Sequence, residues 1–242
     1  MFDNIFPVFM KEFRSYFLSK MVWFIFVCFS LFMVVGFFLY SNAVNLPEAE
    51  LLPFFKMQLN LFVFIIPALT IKIWSDEKKQ GTMELTLSLP ISYTALTIGK
   101  FLALWGLCGL LIISTSGTWI LYAWVCGVNN SAVFLNYVFL WLVCGSLCAL
   151  SMLTSAYAEQ PVSAYVVSLA VCMCVMMLNI SDWVLGGDAT EVVILAGNSL
   201  NFRANFLDLI VGKVSFSAIF YYLTMIILSL WANIVTIGWR RK

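Results

Sequence analysis

Residues 74–100, WSDEKKQGTMELTLSLPISYTALTIGK, decide how the rest of the chain is read. This is a long polar segment between two apolar spans, and it holds the densest run of charge in the chain. Asp76, Glu77, Lys78 and Lys79 fall within Ser75 to Gln80, a density of charge that places the run in water. Gly81 breaks it, because glycine tolerates backbone angles that other residues avoid. Thr82 then stands where a helix N-cap is useful, and Met83, Leu85, Leu87 and Leu89 interleave with Glu84, Thr86 and Ser88. Pro90 cannot continue a helix. The pattern predicts a short, partly apolar helix of about two turns lying parallel to a membrane, suited to docking into a cleft on a soluble partner. An ordinary solvated loop is the alternative reading of the same residues.

Glu77, Gly81-Thr82, Glu84, Leu87, Pro90 and Gly99-Lys100 together resemble the signature loop of the type-2 ABC transporter permeases. In that family the loop between the second and third membrane helices carries the coupling helix that contacts the ATPase subunit. The resemblance rests on fixed spacing over this segment. Elsewhere it is a likeness of length, span number and span order. Within the family the layout is most similar to permeases of the gliding-motility-associated kind.

Composition leads independently to a polytopic membrane protein. The chain is 63% apolar and 10% charged over 242 residues, where a soluble domain is roughly half apolar and a quarter charged. Its mean hydropathy is +0.99. We expect an all-α polytopic membrane protein, which the resemblance makes a single permease domain over residues 1–242. There is no histidine, the commonest proton relay, metal ligand and general base, so metalloenzyme and hydrolase readings lose their ground. No basic cluster suggests nucleic acid. The seven cysteines are odd in number and lack the spacing of a disulfide framework. They read as small buried apolar residues rather than as soft ligands for copper.

Taken in order, residues 1–20 are not expected to be a cleavable signal, since charges punctuate them and no cleavage site follows. Phe2, Phe6, Phe9, Phe13 and Phe17 recur at helical spacing opposite Lys11, Arg14 and Ser15, predicting an interfacial amphipathic helix. Spans are expected at about 21–40, 54–74, 97–125, 132–156, 162–180 and 214–237, six in all. Pro67 should kink the second. The run Ser114 to Thr118 and the patch Gly145, Ser146 and Ala149 should serve helix packing. The resemblance makes residues 75–97 the coupling segment, and Glu159 in the tight turn at 157–161 would be a second contact point. Residues 181–213 are too long for a turn and too polar to span. Two short helices dipping into the outer leaflet fit them, and the family resemblance implies re-entrant helices there, with Trp183, Phe202 and Phe206 as outer-gate candidates.

Orientation follows from the 13 lysines and arginines. With both termini inside, all but Lys56, Arg203 and Lys213 are cytoplasmic, as the positive-inside rule asks. The span interiors hold no Asp, Glu, Lys or Arg away from their ends, which argues against an ion-driven carrier. No G-x-x-x-x-G-K-[ST] loop is present, so the chain itself should not bind ATP in that way. The resemblance implies a permease subunit of an ABC exporter in a bacterial inner membrane. Catalysis then belongs to a separate ATPase subunit that binds ATP and Mg, and this chain needs no cofactor or metal of its own. It also implies a homodimer, or a heterodimer with a related permease, set in the lipid bilayer. The gliding-type likeness allows a further membrane or periplasmic component. The expected ATPase contacts are Glu77, Gly81, Thr82, Met83, Glu84, Leu87, Pro90 and Glu159. Glu77 and Glu84 lead them, though both also fit solvated loop carboxylates. A membrane scaffold that recruits a soluble partner through the 75–97 loop without transporting is the rival reading, and a secondary carrier the third.

Overall fold

A computed structural model of the protein describes residues 5–40, 52–83, 91–120, 130–177 and 201–239. All regular structure among the described residues is helical. The elements are α1 (Ile5–Leu18), α2 (Lys20–Tyr40), α3 (Leu52–Thr70), α4 (Ser75–Lys79), α5 (Tyr93–Ser114), α6 (Asn130–Tyr157), α7 (Pro161–Met177), α8 (Phe202–Ile210) and α9 (Phe216–Trp239). Helices α2, α3, α5, α6, α7 and α9 each fall on one of the six apolar runs.

Four stretches, Leu52–Lys79, Tyr93–Ile120, Ser131–Tyr157 and Phe216–Trp239, are long and apolar enough to cross a membrane. Helices α1 and α2 form a pair bent by 71° at Ser19, which brings the number to five if the pair counts as one span. Helix α7 is apolar but has only 17 residues. The described structure therefore supports four or five crossings where the apolar runs suggest six.

Helix α6 is the hub, packing against α3, α5, α7, α8 and α9. Its middle is built from small residues, with Cys144, Ser146, Cys148 and Ala149 all fully buried, so neighbouring backbones come close. Helix α5 begins at Tyr93, earlier than the apolar run indicates. Ser92 caps it, its hydroxyl accepting from the Ala95 backbone N–H at 3.3 Å. Pro67 sits inside α3 without ending it. The helix stops one turn later, where the Thr70 hydroxyl donates to Pro67 O at 2.9 Å.

Hydroxyls and amides knit the interior. Thr70 and Ser151 share a hydrogen bond of 2.7 Å between α3 and α6, and Thr154 and Ser168 one of 2.5 Å between α6 and α7. Gln58 Nε2 donates to Thr115 Oγ1 at 2.8 Å, and Ser114 bonds Ser30 at 3.1 Å. Residues of the run Ser114 to Thr118 thus join helices. Cys108, Cys144, Cys148 and Cys172 are buried free thiols, whereas Cys28 and Cys174 face outward. Cys126 lies outside the described residues.

Of the segment 181–213, the described part begins at residue 201. Asn201 caps α8 by accepting from Ala204 N–H at 3.1 Å, and Phe202 and Phe206 are buried. Tyr222 on α9 donates its hydroxyl to Phe202 O at 2.7 Å and meets the Phe202 ring edge-on. A second short helix and Trp183 would lie outside the described residues.

Candidate functional site

The charged run after α3 folds back on the protein. Residues 71–74 form a turn that buries Ile73 and Trp74, and Ser75 Oγ donates to Ile71 O at 2.6 Å. Ser75 to Lys79 then wind into α4, with Asp76 and Glu77 in its first turn and Lys78 and Lys79 in its last, the order the helix dipole favours. The sequence pattern puts this run in water. The structure instead turns Glu77 and Lys78 inward, because both find partners on other helices. Gly81 follows at φ 70°, a left-handed conformation in which a side chain is strained. Thr82 donates its hydroxyl to Glu77 O at 3.3 Å, and Met83 is buried.

Lys100 is the centre of the site. Its side chain is 1% exposed, about two turns into α5. Its ammonium lies 2.5 Å from Glu77 Oε1, donates to Ile73 O at 2.9 Å, and sits 4.4 Å above the Trp74 ring. Glu12 Oε1 of α1 is 4.0 Å away. Removing an ammonium from water costs several kcal/mol unless charge and hydrogen bonds replace the lost hydration. Here two carboxylates, a carbonyl and a ring face do so. Glu77 Oε2 is also buried and has no hydrogen-bond partner among the described residues.

Gly99 explains how Glu12 arrives. A Cβ at this position would lie 2.7 Å from Val8 Cγ1 and 3.2 Å from Ile5 O, so α1 rests directly on the α5 backbone. The face of α1 that touches the protein is Val8, Glu12 and Tyr16, spaced by four, with Val8 and Tyr16 buried. Burial pushes the Tyr16 phenol up, and the Glu12 carboxylate adds to it, so the hydroxyl stays neutral. The phenylalanines form a second stripe. Phe9 and Phe13 stack at 5.3 Å, Phe13 and Phe17 meet edge-on at 5.0 Å, and Phe17 passes the contact to Trp23 across the bend. Trp23 Nε1 donates to Phe17 O at 2.8 Å, closing the last turn of α1. Phe6 and Phe17 are exposed, Phe9 and Phe13 half-buried, and Phe2 lies outside the described residues.

Two more lysines tie the segment down. Lys78 Nζ donates to Ala156 O and, at 2.9 Å, to Ala158 O in the turn between α6 and α7. Lys72 Nζ donates to Ser19 Oγ at the α1–α2 bend. Between α1 and α4 lies a polar cleft of about 410 Å³, lined among others by Lys11, Glu12, Lys72, Asp76, Glu77 and Thr82.

Of the residues singled out in the sequence, Glu77, Gly81, Thr82 and Met83 are brought together here. Exposed Glu159 joins them through the Lys78 bonds to its neighbouring turn. Glu84, Leu87 and Pro90 lie outside the described residues. Phe202 and Phe206 belong to α8, packed beside the first half of α9, whereas Thr236 near the last turn of α9 bonds Tyr157 at the end of α6. Sequence reasoning missed Glu12, Tyr16 and the central place of Lys100. The spacing Val8, Glu12, Tyr16 was the available signal, masked by the stronger phenylalanine period. Lys100 lay inside the recognised pattern but carried no sign of its partners. Among the described residues no group of three or more His, Cys, Asp or Glu is placed to hold a metal ion.

A family model described as ABC-2 family transporter protein matches residues 6–237, nearly the whole chain. No curated protein matches the chain.

Proposed function

Since the chain belongs to the ABC-2 transporter family, and so is a membrane permease subunit that works with an ABC ATPase, we propose that the Lys100 cluster is the joint through which ATPase motion enters the membrane helices. The observation that carries this reading is the buried pair between Glu77 and Lys100, 2.5 Å apart. It fastens the charged segment to the opening turns of α5, and Glu12 brings α1 to the same ammonium. Glu77 acts as the inner anchor. Glu84, Leu87, Pro90, Thr82 and Glu159 form the outward contact, with Gly81 setting the angle between anchor and contact.

The direction of transport is export. ATP and Mg bind to two partner subunits beneath a pair of these chains, most simply a homodimer. Closure of the ATPases pushes the segment after Gly81. The push reaches α5 and α1 through Lys100, and the α6–α7 turn through Lys78. Helices α2, α3, α5, α6, α7 and α9 cross the membrane as six spans in this reading, with α7 at the short end of the crossing range. Helix α1 lies in the interface. Both termini and the Lys100 cluster face the cytoplasm of a bacterial inner membrane, and α8 with Phe202 and Phe206 forms part of the outer gate.

Purification of the tagged protein from native membranes, with its ATPase activity assayed in lipid, tests this reading. The double variant Glu84→Lys and Glu159→Lys should insert and keep its thermal stability, yet lose co-purified ATPase or its permease-dependent hydrolysis. Unchanged recovery and unchanged hydrolysis would remove the contact from these residues. Recovery of the wild-type chain in good yield with a non-ATPase partner alone would leave the ATPase joint without support.

A further inference from the structure

Helix α1 shows the protein one face and leaves another uncovered. The uncovered face carries Pro7, Met10, Lys11, Arg14 and Leu18, at spacings of three and four, with Phe6 beside them. With Ser15 these six line a shallow concavity of about 690 Å³. Two properties coincide there. Phe6 and Leu18 are 66% and 85% exposed, large apolar side chains without cover. Lys11 and Arg14 stand between them and Lys20 follows, all exposed. Glu12, the one acid of α1, is 14% exposed and lies 3.6 Å from the Lys11 ammonium and 4.0 Å from that of Lys100, while the Lys11 side chain itself stays 67% exposed. Charge on the outward face is therefore positive, and the 71° bend at Ser19 lays α1 across the direction of α2.

An acidic protein surface would satisfy the cations and leave Phe6 and Leu18 with no apolar cover. A zwitterionic lipid would cover the apolar side chains and leave net positive charge unanswered. A phospholipid with a net negative headgroup answers both, its phosphate between Lys11 and Arg14 and its acyl chains along Phe6, Met10 and Leu18. We propose that the outward face of α1 from Phe6 to Leu18 is a binding site for the headgroup of an anionic phospholipid. The inference needs α1 to lie at a membrane surface and does not depend on the assignment of the ATPase contact.

Native mass spectrometry of the purified full chain, titrated with phosphatidylglycerol or phosphatidylcholine of matched acyl chains, tests it. The wild type should retain phosphatidylglycerol in preference, by about fivefold for each cation engaged. Lys11→Gln with Arg14→Gln should abolish the preference. Lys213→Gln, an exposed cation beyond α8, should leave it intact. Equal retention of the two lipids by the wild type overturns the proposal, as does a preference that survives the double change or falls equally with Lys213→Gln. Loss of a co-purifying ATPase in the double variant, with lipid preference unchanged, assigns the face to a protein partner and overturns it too.

Discussion

At Lys100 the energetics are asymmetric. The ammonium is answered by Glu77 at 2.5 Å and by Glu12 at 4.0 Å, so removing one carboxylate leaves the other. Removing the lysine leaves Glu77, with Oε2 already lacking a partner, as an uncompensated charge. Lys100→Met should therefore cost about 3–5 kcal/mol, the range for breaking a buried pair. Glu77→Gln should cost distinctly less. Thermal unfolding of the detergent-purified chain reads the ranking, and a reversed order would show that the pair is not the stabilising contact. Gly99→Ala acts on the same joint by sterics, forcing α1 off α5 at a cost of about 1–3 kcal/mol. Val8→Ala in the same chain should recover part of that loss, because two of the three close contacts are with Val8. The third is the Ile5 carbonyl, so recovery should be incomplete. No recovery at all in the melting temperature would mean that α1 does not rest on Gly99.

Between elements, α5 and α6 are joined by a reciprocal pair of indoles. Trp105 Nε1 donates to Trp141 O at 2.8 Å, Trp141 Nε1 donates to Trp105 O at 3.1 Å, and the rings stack at 4.3 Å. Trp105→Phe and Trp141→Phe each remove one N–H donor, at about 0.6–2 kcal/mol in a bilayer setting. Phenylalanine keeps a ring, so the stack is read from Trp105→Ala and Trp141→Ala instead, whose double-mutant cycle should give a coupling of about 0.5–1.5 kcal/mol. Additive losses would show that the rings contribute nothing as a pair. The positions of such helices were legible in the sequence, because runs of apolar residues interrupted by Pro90, Pro161 or charge leave little choice of where a helix lies. Their mutual contacts were not. Trp105 and Trp141 are far apart in the chain, and lipid-facing and protein-facing positions of a span are equally apolar. The charged segment after α3 shows the same division. Its composition marked it as special, and Gly81 as a break was readable from residue type. That Glu77 and Lys78 turn inward was not, because the partners that draw them, Lys100 and the carbonyls of Ala156 and Ala158, are set by packing. The amphipathic period of α1 was visible only as its outer stripe. Its inner face, Val8, Glu12 and Tyr16, is shorter and mixed in polarity.

Across the whole molecule, the segment from Thr70 to Met83 behaves as one clamped unit with ties in three directions. Lys72 holds the α1–α2 bend, Glu77 holds α5 and α1 through Lys100, and Lys78 holds the α6–α7 turn. A force applied beyond Gly81 therefore reaches the first three tied helices and the last pair by separate routes. The Lys78 route can be cut without removing a member of the buried charge cluster, since the carbonyls of Ala156 and Ala158 that it holds are on the α6–α7 side and not among the partners of Lys100. Lys78→Met should then leave insertion and ATPase binding in place, because neither depends on those two carbonyls. It should weaken the coupling between hydrolysis and transport by roughly 0.5–2 kcal/mol, a loss of about twofold to thirtyfold in permease-dependent ATPase stimulation. Cysteines placed at Lys78 and Ala158 and joined by a short bifunctional cross-linker should restore the tie and recover much of the stimulation. Stimulation unaffected by Lys78→Met would mean that the α6–α7 turn is driven by its own contact at Glu159, and that α4 moves α5 and α1 alone.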